Sequence, residues 1–392
     1  MISVLVVDDS VVIRRLVTDA LAEDPAIRVV GTAPNGRVAL SKIEQLKPDL
    51  VTLDIEMPVM DGLSTLRELR SRYPHLPVIM FSTLTAAGAS ATLDALSAGA
   101  SDYVTKPSNV GSFEESKRSV REQIIPRIHA LCERGVRART RDGAAPTRPG
   151  QAQTGGGFAF PPALPGLVGV PSRPAARPST ATPAPARPVT DRVEMLAIGC
   201  STGGPDALSR VLQALPGDLP VPIVVVQHMP PVFTKMFAER LNRTCVLDVV
   251  EAAGDEPVHP GTVYIAPGDF HLELVRSGST VLTKVTSGPP ENFCRPAVDV
   301  LFRSVAKVYG GKVLATVLTG MGQDGKRGAE VLRAKGAEIV AQDEATSVVW
   351  GMPGAITHAG LADAVLPLPD IANYLVSRTA VSRGARSKEV TR

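Results

Sequence analysis

The chain has 392 residues, 44% hydrophobic and 21% charged, enough for two or three domains of ordinary globular composition. A net charge of +3 is too small to argue for nucleic acid or a membrane surface, and no apolar run approaches a membrane span. Cys132, Cys200, Cys245 and Cys294 lack C-x-x-C spacing, which excludes a zinc knuckle or a disulfide framework; with no export signal at the start, the cytoplasm is the expected compartment.

From the N-terminus, strand-like runs alternate with helical periodicity. "ISVLVV" precedes "DDSVVIRRLVTDALAE", "IRVVGTA" precedes "GRVALSKIEQL", and "PDLVTLD" precedes "GLSTLRELRSR". "PVIMFS" precedes "GASATLDALSAG", and "DYVTKP" precedes "FEESKRSVREQIIPRIHALCE". This alternation predicts a doubly wound parallel sheet with helices on both faces, and such sheets bind ligands at the carboxyl ends of their strands. Asp8 and Asp9 fall at the end of the first strand, Asp54 at the third, Ser82 with Thr83 at the fourth and Lys106 at the fifth. Three converging carboxylates repel one another unless a divalent cation sits among them, and oxygen ligands of this kind suit magnesium. A lysine and a hydroxyl opposite would hold phosphoryl oxygens, and a carboxylate so placed can attack phosphorus. A lone Asp at a strand end is usually a helix cap; five matching positions in strand order argue instead for a site.

The motifs "VVDDS", "LDIEMPVMDG", "MFST" and "TKP" resemble a two-component response-regulator receiver domain over roughly Ser3 to Ile125. The resemblance implies that Asp54 takes a phosphoryl group from a histidine kinase. It implies magnesium on Asp8, Asp9, Asp54 and the Glu56 backbone carbonyl, phosphoryl contacts from Ser82 and Lys106, and an aromatic switch at Tyr103. What such a receiver regulates must come from the rest of the chain.

From Ala144 to Pro188 there is no Asp, Glu or Lys, and Pro, Ala, Gly, Thr and Arg dominate. Such a segment cannot bury enough surface to offset its ordering entropy, and its proline density makes it an extended spacer. A second reading is a docking motif around "GGGFAFPPALPGLVGV". The predicted division is a receiver over 1–125, a helical extension and disordered Pro/Ala/Gly-rich linker over 126–190, a catalytic domain over 191–376 and a disordered basic tail over 377–392.

In the C-terminal part, "EMLAIG" reads as a strand, "CSTGG" as a turn and "PDALSRVLQAL" as a helix with Pro205 at its first position. "VPIVVV" delivers "QHMPP" before the helix "FTKMFAERLN", and "KVLATVLTG" delivers "MGQDG" before "KRGAEVLRAKG". A second doubly wound, mainly parallel α/β sheet would bring Ser201, His228 and Asp324 to one edge, the geometry of nucleophile, base and orienting acid. Gly203 and Gly204 leave room for substrate, and the helix start offers N–H groups to an oxyanion. Each residue has a plainer reading. Ser201 or Thr202 could cap the helix, His228 could be structural, and Asp324 could turn a Gly-rich loop. His259 and His358 sit beside turn residues; His271 is the best competing base, and Cys200 is a rival nucleophile. Gly320, Gly322 and Gly325 also have G-x-G-x-x-G spacing, with Asp343 and Glu344 roughly 20 residues on, as a dinucleotide site asks. Too little chain follows for a full nucleotide-binding half, and Asp324 inside the loop would repel a pyrophosphate.

"IGCSTGGP", "QHMPPVFTKMFAERLN", "VYIAPGDFHLEL", "CRPAVDVLFRSVAK", "LTGMGQDG" and "AQDEATSVVWGMPGAI" resemble the catalytic domain of chemotaxis protein-glutamate methylesterases over about Glu194 to Leu375. The resemblance implies a Ser201–His228–Asp324 triad that hydrolyses glutamate methyl esters of methyl-accepting chemotaxis receptors and deamidates certain receptor glutamines. It implies an oxyanion contact from the Met321 backbone N–H, an oxyanion or substrate contact at Thr202, no cofactor in this domain, and a chemotaxis histidine kinase as phosphodonor. It also implies that the unphosphorylated receiver covers the site and that phosphorylation relieves the block. Cys200 stands where such proteins often have Ala, and the linker is long. The rival classes are a receiver-regulated module that binds a nucleotide or peptide at the Gly-rich edge, and a DNA-binding output, for which no basic helix-turn-helix pattern exists. Neither nucleic acid nor direct membrane insertion is expected.

Overall fold

The computed structural model describes residues 1–107, 112–142 and 192–389. The Pro-rich segment from Ala144 to Pro188, with its docking-motif reading, lies outside them. The first half runs β1 (Ile2–Val7), α1 (Val11–Leu21), β2 (Ile27–Ala33), α2 (Gly36–Leu46), β3 (Leu50–Asp54), α3 (Gly62–Arg72), β4 (Val78–Ser82), α4 (Ala86–Ser97), β5 (Asp102–Thr105) and α5 (Phe113–Asp142). Its five strands pair in parallel in the order β2-β1-β3-β4-β5. Every residue of β3 and β4 is buried, as a central parallel strand covered on both faces requires. Ser10, Asn35, Asp61 and Thr85 each accept a backbone N–H at the start of α1, α2, α3 and α4, caps worth about 1 kcal/mol apiece.

The second half runs β6 (Met195–Cys200), α6 (Gly204–Gln213), β7 (Ile223–Gln227), α7 (Phe233–Thr244), β8 (Asp248–Glu251), β9 (Thr262–Ile265), β10 (His271–Ser277), β11 (Thr280–Thr286), α8 (Val298–Tyr309), β12 (Val313–Val317), α9 (Lys326–Ala334), β13 (Glu338–Gln342), α10 (Met352–His358), β14 (Ala364–Leu366) and α11 (Leu368–Glu389). Seven parallel strands take the order β14-β13-β12-β6-β7-β9-β8, and β10 and β11 form a separate antiparallel hairpin. Both halves are therefore parallel α/β sheets, as the alternation of strand and helix patterns predicts. The corners after β12, β6 and β7 lie side by side, because those three strands are neighbours in the sheet.

One expectation fails at the C-terminus. Residues 377–389 are not part of a disordered tail, since α11 continues to Glu389. Arg378 pairs with the buried Glu338 at 2.8 Å, and Thr379 is 1% exposed with its hydroxyl on the Leu375 carbonyl. These anchors carry the helix past the expected boundary at 376. Among the described residues no helix is long and apolar enough to cross a membrane.

Candidate active site

The receiver pocket gathers the residues that strand order places there. Asp8, Asp9 and Asp54 each bring a carboxylate oxygen within 4.8 Å of the others. Lys106 Nζ sits 3.0 Å from Asp8 Oδ2 and 2.8 Å from Asp54 Oδ1. Asp54 Oδ2 is buried without a hydrogen-bond partner. Burial raises the Asp54 pKa to about 6, with the Asp8 charge adding to it against the pull of Lys106. A dication would remove this frustration, so the donor set fits a hard, oxygen-seeking ion such as magnesium. Glu56 lines the same pocket. Ser82 does not face it freely: its hydroxyl accepts from Thr92 at 2.7 Å and donates to the Gly88 carbonyl at 3.1 Å.

On the second sheet the turn after β6 is held from both sides. Ser201 N–H donates to the Thr319 carbonyl at 3.0 Å, and Gln227 Nε2 donates to the Ser201 carbonyl at 3.1 Å. Gly320 is required by contact: a Cβ there would sit 2.9 Å from Ser201 Cβ and 2.4 Å from Met352 Sδ. His228 follows β7, and its Nε2 donates to Asp324 Oδ2 at 2.9 Å. Asp324 receives four more donors: the backbone N–H groups of Val298 (2.6 Å), Asp299 (3.0 Å) and Gly325 (2.9 Å), and Asn292 Nδ2 (2.9 Å). It thus caps α8 from a distant loop, while Asp299 Oδ1 accepts the Gly328 N–H in the first turn of α9 at 2.7 Å. Burial alone would raise the Asp324 pKa, but the His228 ring and the helix N–H groups outweigh it and hold the carboxyl below its usual range. Burial likewise pushes the His228 imidazole down, and the Asp324 carboxylate overrides this and raises it.

Ser201 and His228 are not yet joined. The Ser201 hydroxyl has no hydrogen-bond partner among the described residues, and His228 Nδ1 faces Cys294 Sγ at 3.5 Å. Met321 is half-buried in the loop after β12. Thr202 is only 4% exposed, and its hydroxyl donates to Asp102 Oδ2 of the receiver at 2.7 Å.

The competing residues are otherwise engaged. Cys200 is fully buried, its thiol directed to the Val226 carbonyl, and burial holds its pKa far above the usual thiol range. His271 Nε2 donates to the Pro289 carbonyl at 3.0 Å and its Nδ1 accepts from Ala297 N–H at 3.2 Å, which leaves no lone pair for catalysis. The glycine loop holds no pyrophosphate cradle. N–H groups at the start of α9 already serve the carboxylates of Asp324 and Asp299, and Asp343 caps a turn at Thr346.

Residues 196–375 match the CheB methylesterase family, and residues 4–116 match the response regulator receiver domain. Along its length the chain is similar to a protein-glutamate methylesterase/protein-glutamine glutaminase of Nocardioides sp., 53% identical over 97% of this chain and 96% of that one. The counterpart in Trichodesmium erythraeum is 48% identical over 96% of this chain and 98% of its own. The chain belongs to the protein-glutamate methylesterase/protein-glutamine glutaminase family. Among solved structures it is similar to the Thermotoga maritima CheB methylesterase catalytic domain, 45% identical over 47% of this chain and 98% of that one, with a TM-score of 0.47.

In this methylesterase-family chain the receiver packs on the second sheet beside the candidate nucleophile. Tyr103 stacks on Phe233 at the start of α7, ring centroids 4.9 Å apart and planes 6° from parallel. Asp102 binds Thr202 and also accepts from Arg127 at 3.1 Å, and Arg240 on α7 pairs with Asp94 on α4. The residues that strand-end reasoning misses are Gln227, Asn292, Cys294 and Asp299. Three of them lie in or just after the irregular segment between β11 and α8, where neither a period of 2 nor one of 3.6 marks a position.

Proposed function

We propose that this chain hydrolyses γ-methyl esters of protein glutamates on methyl-accepting chemotaxis receptors and deamidates certain receptor glutamines, under control of phosphorylation at Asp54. The observation that carries this reading is the His228–Asp324 pair set one strand-corner from Ser201, with the carboxylate saturated by N–H donors. With Nε2 committed to Asp324, Nδ1 is the nitrogen left to act as base. It exchanges the Cys294 thiol for the Ser201 hydroxyl and takes its proton as the oxygen attacks the ester carbonyl. The tetrahedral oxyanion is held by N–H groups at the Met321 loop and at the start of α6, whose N-cap Gly203 (φ 73°) makes no side-chain cap. His228 returns the proton to the leaving methoxide, methanol departs, and water repeats the sequence to release the glutamate. For a glutamine the leaving group is ammonia.

In the receiver, Asp8, Asp9, Asp54 and the Glu56 carbonyl would hold magnesium, which when bound neutralises carboxylate and phosphoryl charge. Asp54 accepts the phosphoryl group from a chemotaxis histidine kinase, and Lys106 and Ser82 contact its oxygens once Ser82 turns from Gly88. Thr202–Asp102 and Tyr103–Phe233 support a resting state in which the receiver restrains the turn at Ser201. Phosphorylation at Asp54 loosens both contacts. The proposed division is a receiver over 1–125, a linker region over 126–190 and a catalytic domain from 191 to about 376, acting in the cytoplasm.

Methanol release from a methylated chemoreceptor tests the reading. Ser201→Ala should lower turnover by on the order of a million-fold without loss of fold, and Cys200→Ala should leave it near wild type. Activity retained in Ser201→Ala and lost in Cys200→Ala would sink the assignment.

A further inference from the structure

Phe293 is fully exposed, at 104%, the highest value among the exposed large hydrophobic residues described. It is also held in a left-handed backbone at φ 63°, directly after Asn292 at φ 51°. A bulky side chain in that region is strained, and here no burial offsets the strain. The backbone on either side is pinned to the catalytic groups. Asn292 donates to Asp324, Cys294 touches His228, and Arg295 ties the segment to the next loop through Asp269 at 2.6 Å. That next loop carries Phe270, 42% exposed, beside Asp269 at φ 65°.

We infer that Phe293, with Phe270 on the neighbouring loop, forms an apolar rim that grips the protein substrate beside its methylated glutamate. The inference rests on the esterase reading above and names the specificity element of that site. The occupant follows from position. An ester that reaches Ser201 and His228 is carried on a polypeptide, and the flanks of that segment must pass over residues one step from Asn292 and Cys294. Small reagents that reach only Ser201 do not touch the rim. Because Phe293 is exposed while the receiver is packed in place, the rim is outside the receiver's footprint.

The test uses the full chain with phosphodonor and magnesium, comparing wild type, Phe293→Ala and Phe293→Tyr. Phe293 fills no cavity, so its removal leaves the core intact. One probe is a methyl-labelled chemoreceptor cytoplasmic fragment; the other is a small fluorophosphonate that labels Ser201. Phe293→Ala should lower kcat/KM on the fragment by about tenfold or more, chiefly through KM, with fluorophosphonate labelling unchanged and activity restored by Phe293→Tyr. Equal losses with both probes would make Phe293 a positioning residue and overturn the inference. So would an unchanged kcat/KM, including the case in which Phe293→Ala alters only self-association because a second copy covers the rim. Labelling of Ser201 in wild type without any methanol release would sink the esterase reading, and the inference with it.

Discussion

Asp54 and Asp324 are equally buried, each 2% exposed, and both lie at the carboxyl edge of a parallel sheet, Asp54 as the last residue of β3 and Asp324 in the loop after β12. Their surroundings are opposite. Asp54 has the Lys106 ammonium on one oxygen and no partner on the other; burial, with the Asp8 carboxylate close by, raises its pKa against the pull of Lys106. Asp324 has N–H donors on both oxygens from two helix starts, a side-chain amide and an imidazole, so its pKa is lowered. In the proposed function the first site is completed by a ligand, and the second is a carboxylate that stays ionised. The helix caps follow the same division. The receiver helices α1 to α4 are capped by their own side chains, whereas α6, α8 and α9 make no such cap and direct N–H groups to the site or to Asp324 and Asp299.

Neutralising the fixed carboxylate should produce the larger effect. Asp324→Asn keeps the shape but removes the charge that orients and stabilises His228, and turnover should fall by about four orders of magnitude in a methanol-release assay. A gentler perturbation sharpens the point. Asn292→Gly keeps the left-handed backbone and deletes the amide that bridges Asp299 and Asp324. Loss of one charge-assisted hydrogen bond should cost about tenfold in turnover. The pH profile gives the sign. His228 acts as a base only when neutral, and its pKa is raised, so the acidic limb of wild-type kcat/KM should lie above the ordinary imidazole value of about 6.5. Without the Asn292 amide the Asp324 carboxylate is less neutralised and holds the imidazolium more tightly, so that limb should move to higher pH in Asn292→Gly. A limb that stays in place would show that Asn292 acts on structure alone.

Much of both folds can be read from the strands. The buried runs of β3, β4, β6, β7 and β12 are mostly apolar, interrupted only by Thr52 and Thr316, and each gives way to polar residues at its carboxyl end or in the turn beyond. That pattern places Asp54, Ser82, Ser201, His228 and Asp324. It does not place side chains that act from irregular backbone. Asn292 and Cys294 reach Asp324 and His228 through a segment with left-handed residues and no period, and Asp299 reads as an ordinary first-turn acid of α8. Nor does local pattern reveal that Thr202 is committed to Asp102 a hundred residues earlier, or that polar residues beyond 376 continue α11 through the Glu338 pairing. Those contacts depend on how sheets and helices pack, which periodicity does not encode.

The most direct test of control of Ser201 from Asp54 is stimulation by phosphorylation. Methanol release from a methylated chemoreceptor would be followed for the full chain with magnesium, with and without a small phosphodonor, in wild type and in Asp54→Ala. The account predicts that the phosphodonor accelerates wild type while Asp54→Ala keeps the basal rate and does not respond. Equal acceleration of both proteins would contradict control of Ser201 through Asp54.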